Sequence, residues 1–265
     1  MAKVIALSNQ KGGVGKTTTA MNLSTCLAAY GKRVLVVDFD PQGNTTTGFN
    51  VDKQQTENNS YSLLMGNCTL AEAVQETSVP GLHVVPSTIH LSGAEVELVP
   101  ALARERKLKE AFDGQLDGYD YVFIDCPPSL GLLTLNALTA AQEILVPVQC
   151  EFFAMEGLSQ LFKTVELVKK NLNPSLDITG VLLTMYDKRN NLSSLVEREV
   201  RDHLGSKVFA TTIPRNVRVS EAPSFGRPVM LYDVKCNGSQ AYMKLAAEVM
   251  RRDLPSCSDE ERVAA

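Results

Sequence analysis

Short runs of aliphatic and β-branched residues alternate along the chain with longer segments in which apolar positions recur every three to four residues. The short runs predict strands over residues 3–7, 33–37, 82–85, 119–124, 143–148, 178–184 and 208–213. The longer segments predict helices over 16–30, 94–112, 131–141, 156–171, 193–204 and 239–252. Strands that alternate with helices are joined by crossovers. They stack into a mostly parallel, doubly wound α/β sheet flanked by helices on both faces. The polar stretch 45–60 has no apolar period and reads as an exposed excursion, and residues 253–265, with Pro255, read as a flexible C-terminal tail. No internal repeat and no Gly/Ser-rich linker interrupts the pattern, so residues 1–252 are expected to form a single domain.

Composition narrows the class. With 44% hydrophobic residues in 265, the chain can bury a sizeable core. The net charge of -4 does not advertise a nucleic-acid binder, but its distribution is uneven. Residues 185–252 carry 12 Lys/Arg against 7 Asp/Glu, a local +5, which leaves 14 against 23, or -9, for the rest. A basic final third on an acidic body fits an anionic partner on one face, although solvated surface alone accounts for most such asymmetry. The six cysteines form no C-x-x-C pair and the three histidines share no ligand spacing. Reduced thiols of a cytoplasmic protein are expected, not a zinc site. No run of about 18 apolar residues is present, so no membrane span is expected.

The candidate chemistry starts where the first strand ends. Gln10-Lys11-Gly12-Gly13-Val14-Gly15-Lys16-Thr17-Thr18 follows G-x-x-x-x-G-K-[ST], except that Gln10 replaces the first glycine and Lys11 adds a second cation. Glycines let backbone N–H groups close around phosphate oxygens, and the helix opening near Lys16 adds its positive end. Lys16 would reach the β- and γ-phosphates and the Thr17 hydroxyl would ligate Mg²⁺. A dinucleotide fingerprint is disfavoured because Thr18 stands where a closing Gly or Ala belongs.

Two acidic motifs accompany the loop. In Asp38-Phe39-Asp40-Pro41-Gln42-Gly43-Asn44 the carboxylates are two apart, hence on one side of an extended chain, and Pro41 turns strand into loop. A carboxylate at that edge can orient or deprotonate an attacking water; an Asx-type turn cap is the plainer use. Tyr121-Val122-Phe123-Ile124-Asp125 is an apolar strand ending in an acid, the form that holds Mg²⁺ beside a phosphate loop. Pro127 and Pro128 then stiffen the exit.

Taken together, the lysine-doubled loop, Asp38–Asn44 and Asp125-Cys126-Pro127-Pro128-Ser129 resemble the deviant Walker A P-loop ATPases. Two later stretches, 147–158 and 213–224, look like those of the ParA/Soj-type chromosome-partitioning members, and the resemblance runs to about Arg252. It implies an ATPase that hydrolyses ATP to ADP and phosphate with Mg²⁺, slowly without a partner. It also implies an ATP-dependent homodimer with two sandwiched nucleotides, in which Lys11 contacts the phosphates held by the other subunit. On this resemblance Lys11, Lys16 and Asp40 are catalytic. The nucleotide is held by Lys11, Gly12, Gly13, Val14, Gly15, Lys16, Thr17 and Thr18, with Pro214 and Asn216 near adenine. The metal is held by Thr17, Asp40 and Asp125.

The resemblance further implies non-specific binding of double-stranded DNA, nucleoid association, and release on hydrolysis stimulated by a ParB-type centromere-binding protein. An influence on replication initiation belongs to the same expectation. Arg189 matches the family's DNA-contacting arginine, and Arg218, Arg227, Lys235 and Lys244 could extend the patch, each also readable as an ordinary surface cation. A MinD-like, membrane-associated division-site ATPase is the alternative. It is disfavoured because the last residues, Ser256 to Arg262, are acidic and lack an apolar face. An iron–sulfur carrier would have to use Cys126 and Cys150, which buried thiols explain more simply.

Overall fold

The computed structural model describes residues 2–253. The chain alternates as the periodicity predicts. Strand β1 (Lys3–Leu7) leads to helix α1 (Lys16–Ala29), then β2 (Val34–Asp38) and the short helices α2 (Asn44–Gly48), α3 (Ser60–Leu64) and α4 (Leu70–Ala73). Strands β3 (Gln75–Glu76) and β4 (Leu82–Val85) precede α5 (Leu91–Glu97) and α6 (Lys107–Phe112). The second half runs β5 (Tyr121–Asp125), α7 (Leu132–Ala140), β6 (Glu143–Gln149), α8 (Ala154–Asn171), β7 (Asp177–Thr184) and α9 (Asn191–Leu204). Helices α10 (Val217–Glu221), α11 (Val229–Tyr232) and α12 (Asn237–Arg252) close the described chain.

The seven strands form one sheet in the order β3-β4-β2-β5-β1-β6-β7, parallel throughout except for β3. Alternate strand residues feed opposite faces, so Val4 and Ala6 enter one core while Ile5 and Leu7 enter the other. The first core is completed by α7 and α8 through Leu133, Ala137, Leu161 and Val165. The second is completed by α1 and α12 through Leu23, Leu27, Tyr242, Leu245 and Val249. Because α12 packs beside α1, α1 is buried nearly all round and has no polar face to anchor it at the surface. The chain leaves β1 toward one edge of the sheet and β5 toward the other. The crevice between their C-terminal ends is therefore where this topology places a ligand.

Three expectations are corrected. Residues 208–213 are not a strand. Val208 makes a single bridge to Val181, and Phe209 and Ile213 each donate one N–H to the edge strand β7, at 2.9 and 2.8 Å. The N–H groups of Ala210 and Thr211 instead go to the buried Glu248 carboxylate at 2.8 and 2.9 Å, which takes them out of any ladder. The expected helix 94–112 is broken at Pro100, which cannot donate to a helix and disfavours helical geometry in the residue before it. The stretch 45–60 is a solvated excursion only over residues 50–58; at its ends Thr45, Thr46 and Ser60 are completely buried. Helices α3 and α4 escape a periodicity reading because each spans about one turn and is set by a capping box, Asn59 with Ser62 and Thr69 with Glu72.

The tail expected from 253 lies outside the described residues apart from Asp253. That residue is tied down by Lys3 and by the Tyr121 hydroxyl, the latter at 2.5 Å.

Glu248 yields a stability prediction. Burial raises its pKa, but the Ala210 and Thr211 donors and Arg252 together outweigh burial and hold the carboxyl below its ordinary value of 4.5. A depressed folded value means that its contribution is present above about pH 4.5 and is lost as pH falls through the folded value. Glu248→Gln should lower the unfolding free energy at pH 7 by on the order of 1–3 kcal/mol. It should also flatten the acid limb, measured by urea melts between pH 3 and 7. An unchanged acid limb would show that Glu248 does not carry this pH dependence.

Candidate nucleotide site

The loop between β1 and α1 is shaped by backbone that few residues tolerate. Gly13 and Gly15 take φ of 73° and 90°, in the left-handed region where a side chain is strained. Gly12 does not take a positive φ. Helix α1 then begins with no side-chain cap and no acidic residue in its first turn, so its leading N–H groups face the crevice unpaired. The crevice encloses about 660 Å³ and is lined by Gly12, Gly13, Gly15, Lys16, Thr17, Thr18 and Asp40.

The two lysines differ sharply. Lys16 is buried, and its Nζ donates to the carbonyls of Asn9 at 3.1 Å and Lys11 at 3.3 Å. Burial pulls its pKa down from 10.5, against the pull of Asp125 and Asp40. A desolvated ammonium held only by neutral carbonyls is ready for an anion. Lys11 lies outside the crevice lining, half exposed, and pairs with Glu151. Val14 is buried under the loop, and its carbonyl accepts the Thr184 hydroxyl at 2.8 Å.

Parallel pairing of β2 with β5 sets Asp38 directly against Asp125 at the ends of both strands. Both are completely buried, and burial together with nearby carboxylates pushes both pKa values up. The Thr45 and Thr17 hydroxyls and the Lys16 ammonium pull Asp125 partly back. Asp38 accepts the N–H and hydroxyl of Thr46 at 2.7 and 2.5 Å. Asp125 Oδ2 accepts the Thr45 hydroxyl at 2.8 Å, whereas its Oδ1 is buried without a hydrogen-bond partner. That orphaned oxygen beside Thr17 and Lys16 fits a divalent cation, with Thr17, Asp125 and Asp40 as the groups at hand. The two acids of the Asp38-Phe39-Asp40 motif do not act as a pair on one side. The strand ends at Asp38, so Asp40 swings out to line the crevice, where its Oδ1 accepts the Gln42 N–H at 2.9 Å in an Asx turn.

Pro214 and Asn216 line a hollow of about 120 Å³ that also touches Gly15 and Thr18, so they adjoin the phosphate loop. Asn216 caps α10, its Oδ1 accepting the Arg218 N–H at 2.9 Å. Met185, with φ of 51°, borders both the crevice and this hollow.

The basic residues divide. Arg189, 91% exposed, and Lys244 line one cleft of about 780 Å³ together with Lys188 and Arg215, and Asp187 is the only carboxylate in its lining. Arg218 is occupied elsewhere, paired with Glu221 at 3.1 Å and Asp233 at 3.7 Å. Arg227 and Lys235 are exposed but outside that cleft. The structure therefore brings Arg189 and Lys244 together and leaves Arg218, Arg227 and Lys235 apart. Lys188 and Arg215 escaped notice because the cleft forms only when the chain after β7 pairs with the segment before α10. Tyr186 donates to Ile213 and Arg215 donates to Tyr186, each at 3.0 Å. Cys126 and Cys150 are buried free thiols, and burial pushes both pKa values up, that of Cys150 to about 12. No metal-binding cluster of His, Cys, Asp or Glu occurs among the described residues.

A parallel sheet, a glycine loop running into an uncapped helix, a buried lysine and a strand-end aspartate define a P-loop nucleotide-binding protein. Residues 2–178 match the family model described as an AAA domain. The chain is 56% identical over 253 residues to the chromosome partitioning protein ParA of Caulobacter vibrioides, covering 95% of each. It is 55% identical to the sporulation initiation inhibitor protein Soj of Bacillus subtilis, covering 94% of this chain and 98% of that one. The crystal structure of cobyrinic acid a,c-diamide synthase from Mycobacterium smegmatis with bound ADP and magnesium superposes with a TM-score of 0.83 at 38% identity, covering 95% of each chain. The chain belongs to the ParA/Soj family of chromosome-partitioning ATPases.

The Thr184–Val14 bond generates a test. Thr184→Val should lower stability by about 1 kcal/mol and weaken nucleotide binding by roughly an order of magnitude, because a loop free to shift loses pre-organisation. Calorimetric titration with ATP checks the second effect, and unchanged affinity would show that the loop does not need this anchor.

Proposed function

We propose that this chain is a Mg²⁺-dependent ATPase switch whose ATP-bound homodimer holds double-stranded DNA without sequence preference. It lets go after hydrolysis stimulated by a ParB-type partner. The observation that carries this reading is the short physical connection between the two sites. Thr184, the last residue of β7, is bonded to the phosphate loop, and the next five residues reach Arg189 in the basic cleft. A change in the loop is thereby passed to the DNA face through a strand end held at one strained residue, Met185.

In this reading Gly12 to Thr18 cradle the phosphates, Lys16 gives up its carbonyl partners for the β- and γ-oxygens, and Pro214 and Asn216 flank adenine. Thr17 and Asp125, with Asp40 nearby, hold the metal; bound Mg²⁺ neutralises charge on the transferring phosphoryl group. Asp40, in the crevice and not buried like Asp38, orients or deprotonates the attacking water. Lys11 leaves Glu151 to reach the nucleotide of the second subunit. Their ion pair is half exposed, and such pairs are worth about 0–1 kcal/mol, so releasing it costs little. Arg189 and Lys244, with Lys188 and Arg215, contact backbone phosphates, and Arg218, Arg227 and Lys235 extend that face only at its margin. The protein acts in the cytoplasm on the nucleoid, and an effect on replication initiation follows from the same nucleotide cycle.

Lys16→Ala should abolish ATP binding, dimerisation and DNA retention together. A variant that still dimerises on ATP would remove the switch. Asp40→Ala should stay as an ATP-bound dimer on DNA, detected by sedimentation with phosphate release, and normal turnover would exclude its catalytic role.

Arg189→Ala should lose DNA while keeping ATP-dependent dimerisation. With about six phosphates contacted per dimer, log affinity of the unaltered chain should fall against log salt with a slope of about -5. Retention should be measured with ADP, ATP and a nonhydrolysable analogue, on DNA and on anionic liposomes. Binding to liposomes in place of DNA would favour a membrane-directed switch instead.

A further inference from the structure

Two completely buried threonines of α2 stand outside the loop chemistry described above. Thr46 gives its N–H and its hydroxyl proton to Asp38, and its oxygen accepts the Ser87 N–H at 2.8 Å. With its proton committed to a carboxylate and an amide bound to its oxygen, this hydroxyl has one orientation only. Thr45, its neighbour, donates to Asp125 Oδ2 at 2.8 Å. The consequence appears on the same carboxylate: Oδ2 is occupied, while Oδ1 is sealed from solvent without a partner.

A carboxylate in an empty pocket could present either oxygen, or turn about its Cβ–Cγ bond between them. The Thr45 bond removes that choice, and the Thr46 clamp on Asp38 fixes the helix from which Thr45 reaches. We infer that Thr45 is a positioning residue for the metal. It holds Asp125 so that one defined oxygen remains free for the cation, and so ties metal occupancy to the placement of α2. The same helix supplies Asn44, Thr47 and Gly48 to the crevice wall, and the loop leading into it carries Asp40. The free Asp125 oxygen and the loop carrying Asp40 are therefore both tied to one short helix. Sequence gave no hint of this, because a Thr-Thr-Thr run in a polar stretch has neither motif spacing nor apolar period.

This inference rests on the Mg²⁺–nucleotide reading of the crevice, and the test separates the two. The full chain would be titrated with a fluorescent ATP analogue in EDTA and then with Mg²⁺, and Mn²⁺ binding would be followed by electron paramagnetic resonance. Thr45→Val keeps the shape and removes the donor. It should leave metal-free analogue affinity within about twofold and raise the half-saturating metal concentration by about 10–100-fold, the usual cost of losing a hydrogen bond to a metal ligand.

Thr45→Ser should restore metal affinity, and in an Asp125→Asn background Thr45→Val should add nothing. Should Thr45→Val not fold, Thr45→Cys, with a weaker donor of similar size, should show an intermediate shift. Unchanged metal affinity in any folded variant lacking the hydroxyl would overturn the inference. So would an equal loss of metal-free binding, failed rescue by serine, or an undiminished effect without Asp125. Absence of any metal-enhanced binding in the unaltered chain would instead overturn the nucleotide reading beneath it.

Discussion

Two carboxylates driven together in the dry centre of the sheet set the terms for everything around them. Strand pairing places Asp38 opposite Asp125, and parallel strands lie about 4.8 Å apart. Like charges on adjacent strand ends repel, and burial together with that repulsion raises the pKa of Asp38. Neither side chain has water to turn to. The fold answers with fixed donors, Thr46 (itself held by the Ser87 N–H) on one side and Thr45 on the other, and with the charge of the Lys16 ammonium, which attracts Asp125. These donors leave Asp125 one oxygen short. The deficit sits beside the phosphate loop, where a cation accompanying a nucleotide would relieve it.

From that centre a continuous run of contacts leads to the basic cleft. The loop closing over phosphate is anchored by Thr184 at the end of β7, and the following residue departs from ordinary backbone geometry at Met185. Beyond it, Tyr186 is laced to the segment before α10, which carries Pro214 and Asn216 to the nucleotide side and Arg215 to the basic cleft. One segment thus borders both sites. Coupling through such a two-sided element needs no long pathway of side chains.

The strands and the long helices were legible because their periodicity is enforced by burial on two faces, and six of the seven expected strands stand within two residues of prediction. The seventh, 208–213, failed for a reason no local pattern carries. Glu248, almost forty residues away in sequence, captures the two N–H groups that a ladder would need. The phosphate loop and Asp125 were legible from spacing. The separation of Asp38 from Asp40 was not, because it depends on where β2 stops. Thr45 and Thr46 were read as solvated although they are completely buried, since a donor to a buried acid looks in sequence like any loop threonine.

The doubled lysine gains its meaning from this contrast in environment. Lys16 is sealed beneath the loop and can exchange its carbonyls only for something that enters the crevice. Lys11 is tethered at the rim by a solvent-screened pair with Glu151, just before the exposed aromatic pair Phe152 and Phe153. Screening makes that tether weak, and weakness is what a cation needs if it is to change partners when a second molecule arrives. A buried Lys11 would have stabilised one subunit at the expense of that exchange. The two positions therefore differ by depth: the enclosed lysine is reachable only through the crevice, and the exposed one is reachable from outside the subunit.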